Sequence, residues 1–174
     1  MIFGGLQKLT LLDFPGAVAC IVFTKGCNFL CPFCHNALLV NKVDQAQEID
    51  EEEIISFLKK RTGVLEGVVI TGGEPLLQAE FAAEVFRLCH ENHLNTCLDT
   101  SGCFDAETCG NVLDHTDRVL LDVKYTNGAD YEQHVGCRMD QPALVITIRS
   151  SWGPLNAPPL NFSRPSPLSR TVMV

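Results

Sequence analysis

Four short runs of β-branched and aliphatic residues do most to limit what this chain can become: 17–24 (AVACIVFT), 67–71 (GVVIT), 95–99 (NTCLD) and 118–124 (RVLLDVK). Each is short and nearly continuous in its apolar character, which predicts strands buried on both faces of a parallel sheet. The stretches between them carry helical periodicity. Residues 50–61 (DEEEIISFLKKR) open on Asp50 as a cap with Glu53 three positions on, acids leading and bases trailing along the helix dipole. Within 78–93, Phe81, Val85 and Cys89 recur at i, i+4 and i+8 with Phe86 beside them, one stripe for packing on a sheet. Residues 105–115 and 129–135 read as two shorter helices. Strand–helix alternation at this spacing predicts an α/β fold of βα units around a parallel sheet.

The pattern changes after Asp140. Residues 141–174 contain no Asp or Glu but hold six of the nine prolines. Residues 144–148 are expected to form a fifth strand, and the segment that follows, SSWGPLNAPPLNFSRPSPLSR, has no period of either kind. We therefore expect one domain over residues 1–140 and an atypical Pro/Ser-rich tail over 141–174, the mark of a truncated or frame-shifted end.

With 174 residues the chain has room for one domain with a substantial core. A net charge of −8 speaks against nucleic acid, whose phosphates demand a basic surface. No apolar run approaches the ~20 residues of a membrane span. The start, MIFGGLQKLTLLDFPG, lacks a basic leader region and a small-residue cleavage site, which predicts a cytoplasmic protein. Nine cysteines, an odd number without a secretory signal, argue against a disulfide framework. Six of them are scattered (Cys20, Cys89, Cys97, Cys103, Cys109 and Cys137) and read as small buried hydrophobes.

The other three are not scattered. GCNFLCPFCHN sets Cys27, Cys31 and Cys34 in a C-x₃-C-x₂-C run directly after the first strand-like segment. Loops leaving the carboxyl ends of parallel strands form the rim of active sites in such folds. Zinc with His35 as a fourth ligand is the competing reading. It is weakened because His35 adjoins Cys34 and no second ligand pair is visible. Three thiolates can instead hold three irons of a cubane, leaving the fourth open for an external ligand. After the second strand comes TGGEP, where Gly72 and Gly73 would let a ligand approach the backbone and Pro75 can begin a helix.

GCNFLCPFCHN together with TGGEP resembles the radical S-adenosylmethionine (radical SAM) superfamily. With LLDFPG, QAEF, TCLDTSG and LLDVK, in that order over residues 4 to 140, the chain looks like a glycyl-radical-enzyme activase. That resemblance implies a 4Fe-4S cluster on Cys27, Cys31 and Cys34, with S-adenosylmethionine chelating its fourth iron. It places Phe33 near the adenine and Gly72, Gly73 and Glu74 at the methionine amino group. It assigns Asp99, Thr100 and Asp122 to a monovalent cation beside the methionine carboxylate, with Lys124 in the same pocket. Asp13 falls where a partner's glycine loop is met. For Asp99 and Asp122 a simple strand-end cap remains an alternative, and for Lys124 an exposed strand-end charge. The implied chemistry is reductive cleavage of S-adenosylmethionine and hydrogen abstraction from a glycine, with no acid–base group required.

The implied partner is a glycyl-radical enzyme. QAEFAAEVFRLC, HLNTCLDTSG and LLDVKYTN favour pyruvate formate-lyase, while GGLQKLTLLDFPG resembles the activases of anaerobic ribonucleotide reductase. A flavodoxin or ferredoxin is the expected electron donor. The resemblance implies a partial (β/α) barrel of six βα units, of which four are evident, so the barrel is expected to be incomplete at its carboxyl-terminal end. A reading of another class is a non-catalytic zinc- or cluster-binding module. His90, His93, His115 and His134 show no partner in the sequence and read as surface or helix-end residues.

Overall fold

The structure, a computed structural model, describes residues 3–104, 106–136, 138 and 171–173. Six strands form one sheet in chain order: β1 (Phe3–Thr10), β2 (Ala19–Thr24), β3 (Gly67–Gly72), β4 (Asn95–Thr100), β5 (Arg118–Leu121) and β6 (Thr171–Met173). β1 runs antiparallel to β2 and all later pairs are parallel. When strand order equals chain order, every right-handed crossover steps the same way and lays its helix on the same face. That is the wall of a partial barrel. The helices are α1 (Ala37–Asn41), α2 (Glu51–Lys60), α3 (Ala79–Glu91), α4 (Ala106–Asp114) and α5 (Gly128–Val135).

The near-continuous apolar runs have their explanation in two buried faces. Cys20, Val22, Val68, Ile70 and Leu98 face the helices and pack with Ile54, Leu58, Val85 and Phe86. The residues between them, Ala19, Ile21, Val69 and Cys97, turn to the concave side and close around Phe14. The inner face is lined by small residues because a whole phenyl ring must fit there. A Cβ on Gly67 would lie 2.5 Å from that ring.

The four expected strands and four longer helices form within a few residues of their predicted limits. One strand stops early: β5 ends at Leu121, not Lys124. Beyond it Asp122 N–H still reaches Thr100 O (2.9 Å), and the chain then leaves the sheet. Asp50 stands in the extended conformation of a helix cap, but its side chain makes no capping hydrogen bond. The expected box is not formed, and Glu51, Glu52 and Glu53 against the helix dipole remain as the start signal. β1 is not legible in the sequence, since its FGGLQKLT is glycine-rich and half-exposed and its register breaks twice against β2. The strand expected at 144–148 lies outside the described residues, as does the 150–170 segment. Residues 171–173, which carry no strand signal of their own, extend the sheet beside β5. Among the described residues no helix is long and apolar enough to cross a membrane.

Candidate functional site

At the carboxyl ends of β2–β5 lies a cavity of about 570 Å³. Its wall takes residues from every segment that the sequence singles out: Asp13, the three clustered cysteines, Phe33, Gly72–Glu74, Asp99, Thr100, Asp122 and Lys124.

The cysteine loop is stitched down at both ends. Gly73 N–H donates to Thr24 O (2.9 Å) and Glu74 N–H to Gly26 O (2.8 Å), while Gly26 N–H donates to Leu39 O (2.9 Å). Asn36 Nδ2 donates to Gly72 O at 3.1 Å. Lys25 is buried at the loop's root, its ammonium satisfied by Val43 O, Ala46 O and Glu48 Oε1 at 2.8–3.2 Å. These contacts give the paired glycines a role different from the one expected. Cβ atoms on Gly72 and Gly73 would meet backbone atoms of Thr24 at 2.6 Å and of Gly26 at 1.8 Å. The glycines admit the neighbouring loop's backbone, and in doing so fix the cysteines over the cavity.

Cys27, Cys31 and Cys34 are half-buried free thiols. Phe29 N–H points at Cys27 Sγ (3.3 Å). Burial pushes the Cys27 thiol up, the Phe29 N–H opposes it, and the charges of Glu74, Cys31 and Cys34 add to the rise. Cys31 is raised by burial too, against the pull of the Lys124 ammonium. Ionisation of Cys27 and Cys31 is thus opposed by burial and by the neighbouring sulfurs, a penalty that a bound cationic group removes. Among the described residues no three His, Cys, Asp or Glu side chains gather on one ion position. The donor set, three free thiols of one loop on the cavity wall, is of the kind that a cluster takes with each thiolate on a separate iron.

The scattered cysteines differ in kind. Cys20, Cys89 and Cys97 are buried, and desolvation pushes Cys20 up to about 12 and the other two higher. They are packing residues, as expected. Cys103 differs in being disulfide-bonded, although it too packs against Phe29, Tyr131 and Val135. Cys137 lies outside the described residues.

Glu74 is 1% exposed, and its carboxylate accepts four hydrogen bonds. They come from Leu76 N–H (3.0 Å), Thr100 O–H (2.7 Å), Ser101 N–H (2.9 Å) and Ser101 O–H (2.7 Å). Four acceptor sites are about what a carboxylate has. Glu74 therefore caps the turn begun by Pro75 and braces the end of β4, with its own oxygens spent on the protein. Thr100 Oγ1 is likewise engaged, donating to Glu74 and accepting from Gly102 N–H (3.0 Å). Asp99 takes a 2.6 Å hydrogen bond from Thr71 O–H, and burial raises its carboxyl above the usual range. Asp122 is paired with Lys124. Burial acts to lower the Lys124 ammonium, but Asp122, Cys31 and Asp99 outweigh it and hold it above its ordinary value.

Phe33 is 49% exposed, its ring 5.7 Å from that of Tyr125. Asp13 receives the Thr10 hydroxyl, whose oxygen also accepts Asp13 N–H at 3.2 Å. Sequence reasoning missed the support beneath the loop. Tyr131 is fully buried against Phe29 and Val135, and its hydroxyl accepts Lys124 N–H (2.9 Å). The Tyr131/Val135 pair at i, i+4 was the available signal. His90 and His134 also have partners the sequence does not reveal: His90 Nε2 lies 3.0 Å from Asp117 Oδ2, and His134 stacks on Tyr125.

Residues 21–143 match the radical SAM superfamily, a span that takes in all three loop cysteines, the glycine pair and Lys124. The chain belongs to the radical SAM superfamily. Among curated relatives, the pyruvate formate-lyase-activating enzyme of Clostridium pasteurianum is 35% identical over 133 residues, covering 73% of this chain and 54% of that protein. The enzyme of the same name from Staphylococcus epidermidis is 31% identical over 140 residues, covering 75% and 54%. The chain thus spans about half the length of the curated relatives it matches. Among solved structures, Streptococcus suis SuiB bound to its precursor peptide SuiA superposes with a TM-score of 0.60 at 16% identity, covering 76% of this chain and 30% of that one. SuiB without that peptide gives 0.54 at 18% identity, covering 70% and 27%. At those identities the likeness is one of fold, and it agrees with the partial barrel.

Proposed function

We propose that this chain binds a 4Fe-4S cluster through Cys27, Cys31 and Cys34 and cleaves S-adenosylmethionine reductively to place a radical on a glycine of a partner enzyme. The carrying observation is convergence. Three free thiols, the glycine pair, Asp99 and the Asp122–Lys124 pair, from four separate βα connections, face one cavity. When bound, such a cluster would supply the single electron for reductive cleavage of a sulfonium C–S bond, chemistry that would release methionine and let a hydrogen atom pass from a glycine Cα to the 5′-deoxyadenosyl group.

The chain's own residues bind, orient and shield. Gly72 and Gly73 set the cysteine loop. The Asp99 carboxylate and the Lys124 ammonium offer opposite charges for the amino and carboxylate groups of methionine, and Phe33 offers a ring for the adenine. Each residue proposed to hold a monovalent cation already has a protein partner, so a cation there would compete with Lys124 for Asp122. The names of the relatives favour pyruvate formate-lyase as the partner over anaerobic ribonucleotide reductase. A flavodoxin or ferredoxin would supply the electron.

The test is anaerobic reconstitution followed by reduction, read by electron paramagnetic resonance with and without S-adenosylmethionine. A 4Fe-4S signal that shifts on adding the ligand, and is absent from Cys31→Ser, is expected. A cluster signal indifferent to the ligand would leave a cluster carrier, and zinc in place of iron would remove the reading altogether.

A further inference from the structure

Arg118 is the first residue of β5 and only 8% exposed. Among the described residues its guanidinium pairs with no carboxylate. It lies over the Phe14 ring, 5.2 Å from the centroid, and Nη1 donates to Pro15 O. Nε is buried and finds no acceptor among the described residues. An isolated buried donor is a cost to stability, so the fold gains little from this residue as such. What Arg118 does is local. It reaches beneath β4 and β3 to a turn 103 residues earlier in the chain.

That turn is built to be held. Ala17 N–H donates to Phe14 O (3.0 Å), with Pro15 second and Gly16 third at φ 83°, the composition of a type II turn. Phe14 is fully buried in the concave core, whereas Leu11 and Leu12 just before it are 67% and 86% exposed. Asp13 stands between these extremes, in the cavity wall. Thr10 holds it from one side, and the two residues that follow it, the two that Arg118 grips, hold it from the other.

We propose that Arg118 is a positioning residue that clamps the Phe14–Pro15 turn and thereby sets Asp13 in the wall of the cavity. The consequence for partner recognition rests on the function proposed above; the clamp itself does not. Two readouts separate them. The first is amide hydrogen exchange on the full chain, which involves no partner. In Arg118→Leu the Ala17 amide should exchange about tenfold faster while amides of α3 keep their protection. Thermal stability should hold or rise, because an unsatisfied buried donor has been removed. The second is KM for a short glycine-centred peptide with the reconstituted enzyme. It should rise in Arg118→Leu and in Asp13→Asn, with the double variant no worse than the worse single one.

Unchanged exchange at Ala17, or loosening spread evenly over the chain, would overturn the clamp. A loosened turn with KM unmoved in both single variants would reduce Arg118 to a structural residue and remove Asp13 from partner binding. Additive effects would show that Arg118 does not act through Asp13. Should Arg118→Leu fail to fold, Arg118→Lys retains a donor for Pro15 O but not the planar stack. It should loosen residues 13–17 selectively and by less, and loosening anywhere else counts against the proposal.

Discussion

Two half-buried aspartates at opposite ends of the parallel strands show what each end is for. Asp117 lies before β5, at the amino ends, where Thr96 and His90 crowd one of its carboxylate oxygens. Its Oδ2 takes Thr96 N–H (2.8 Å), lies 3.1 Å from Thr96 O–H and 3.0 Å from His90 Nε2, and its own N–H donates to Thr96 Oγ1 (3.0 Å). Burial alone would raise its carboxyl, but the His90 and Thr96 bonds prevail and hold it below the usual range. Asp99, at the carboxyl end of β4, has one such partner, Thr71, and burial carries its carboxyl upward. The amino-terminal end is finished by the chain itself. The carboxyl-terminal end holds three free thiols and an Asp99 carboxylate raised by burial with a single hydroxyl donor, and the fold sustains them at a cost, as sites for binding require.

The largest break in that contrast should come from Gly73→Ala. Its new Cβ would fall 1.8 Å from Gly26 O, a backbone atom with no rotamer to relax. We expect a loss of about 3 kcal/mol or more in urea unfolding, since overpacking against fixed backbone lies at the upper end of such effects. Iron incorporation should fall with it, because the contact is where the cysteine loop joins the sheet. A variant that folds normally and loads iron normally would refute the role of the glycine pair in seating that loop.

Asp117→Asn and Asp99→Asn should move stability in opposite directions. Removing the Asp117 charge leaves Thr96 N–H and His90 poorly met, and about 1–3 kcal/mol should be lost at pH 7. A carboxyl held low in the folded state stabilises above its unfolded pKa, and that contribution disappears as pH falls through the lower folded value. The parent should therefore lose stability on acidification below about pH 4, and the variant should lose less. Asp99 has the reverse sign. A raised acid penalises the folded state once pH climbs past the unfolded pKa toward the folded one, so Asp99→Asn should gain about 1 kcal/mol or less at neutral pH. It should do so while weakening S-adenosylmethionine binding, measured by titrating the reduced cluster signal. A variant both less stable and fully competent to bind would reverse the roles of the two ends.

The sheet and the cysteine loop are legible in the sequence because both are written locally. Near-continuous apolar runs announce strands covered on two faces, and three cysteines within eight residues need no tertiary information. What stays hidden depends on contacts between distant segments. The partner of His90 is Asp117 and that of Arg118 is Pro15, separations at which sequence carries no register. The glycine pair stands out in the sequence as an opening for a ligand, yet what enters that opening is the backbone of Thr24 and Gly26. Resemblance assigns Glu74 to the ligand, while the geometry commits its oxygens to Thr100 and Ser101. β1 escapes notice because an antiparallel strand with glycines and exposed polar residues has neither a period nor an apolar run.

The smallest effect sharpens the comparison most, because it alters Asp99 without touching its charge. Thr71→Val keeps volume and β-propensity in β3 and deletes the hydroxyl that donates to Asp99 Oδ2. Of the influences on that carboxyl, burial pushes up and the Thr71 bond pushes down, so the variant should titrate higher still. Stability at pH 7 should change by about 1 kcal/mol or less, the net worth of one hydrogen bond. Binding tells more. If Asp99 serves the ligand as a carboxylate, the alkaline shift should carry over to binding, with the Thr71→Val protein needing a higher pH to reach the same affinity. If the two binding curves superpose across pH while the Asp99 titration has moved, then Asp99 is a strand-end residue of the fold, and the difference between the two ends of the sheet is one of hydrogen bonding alone.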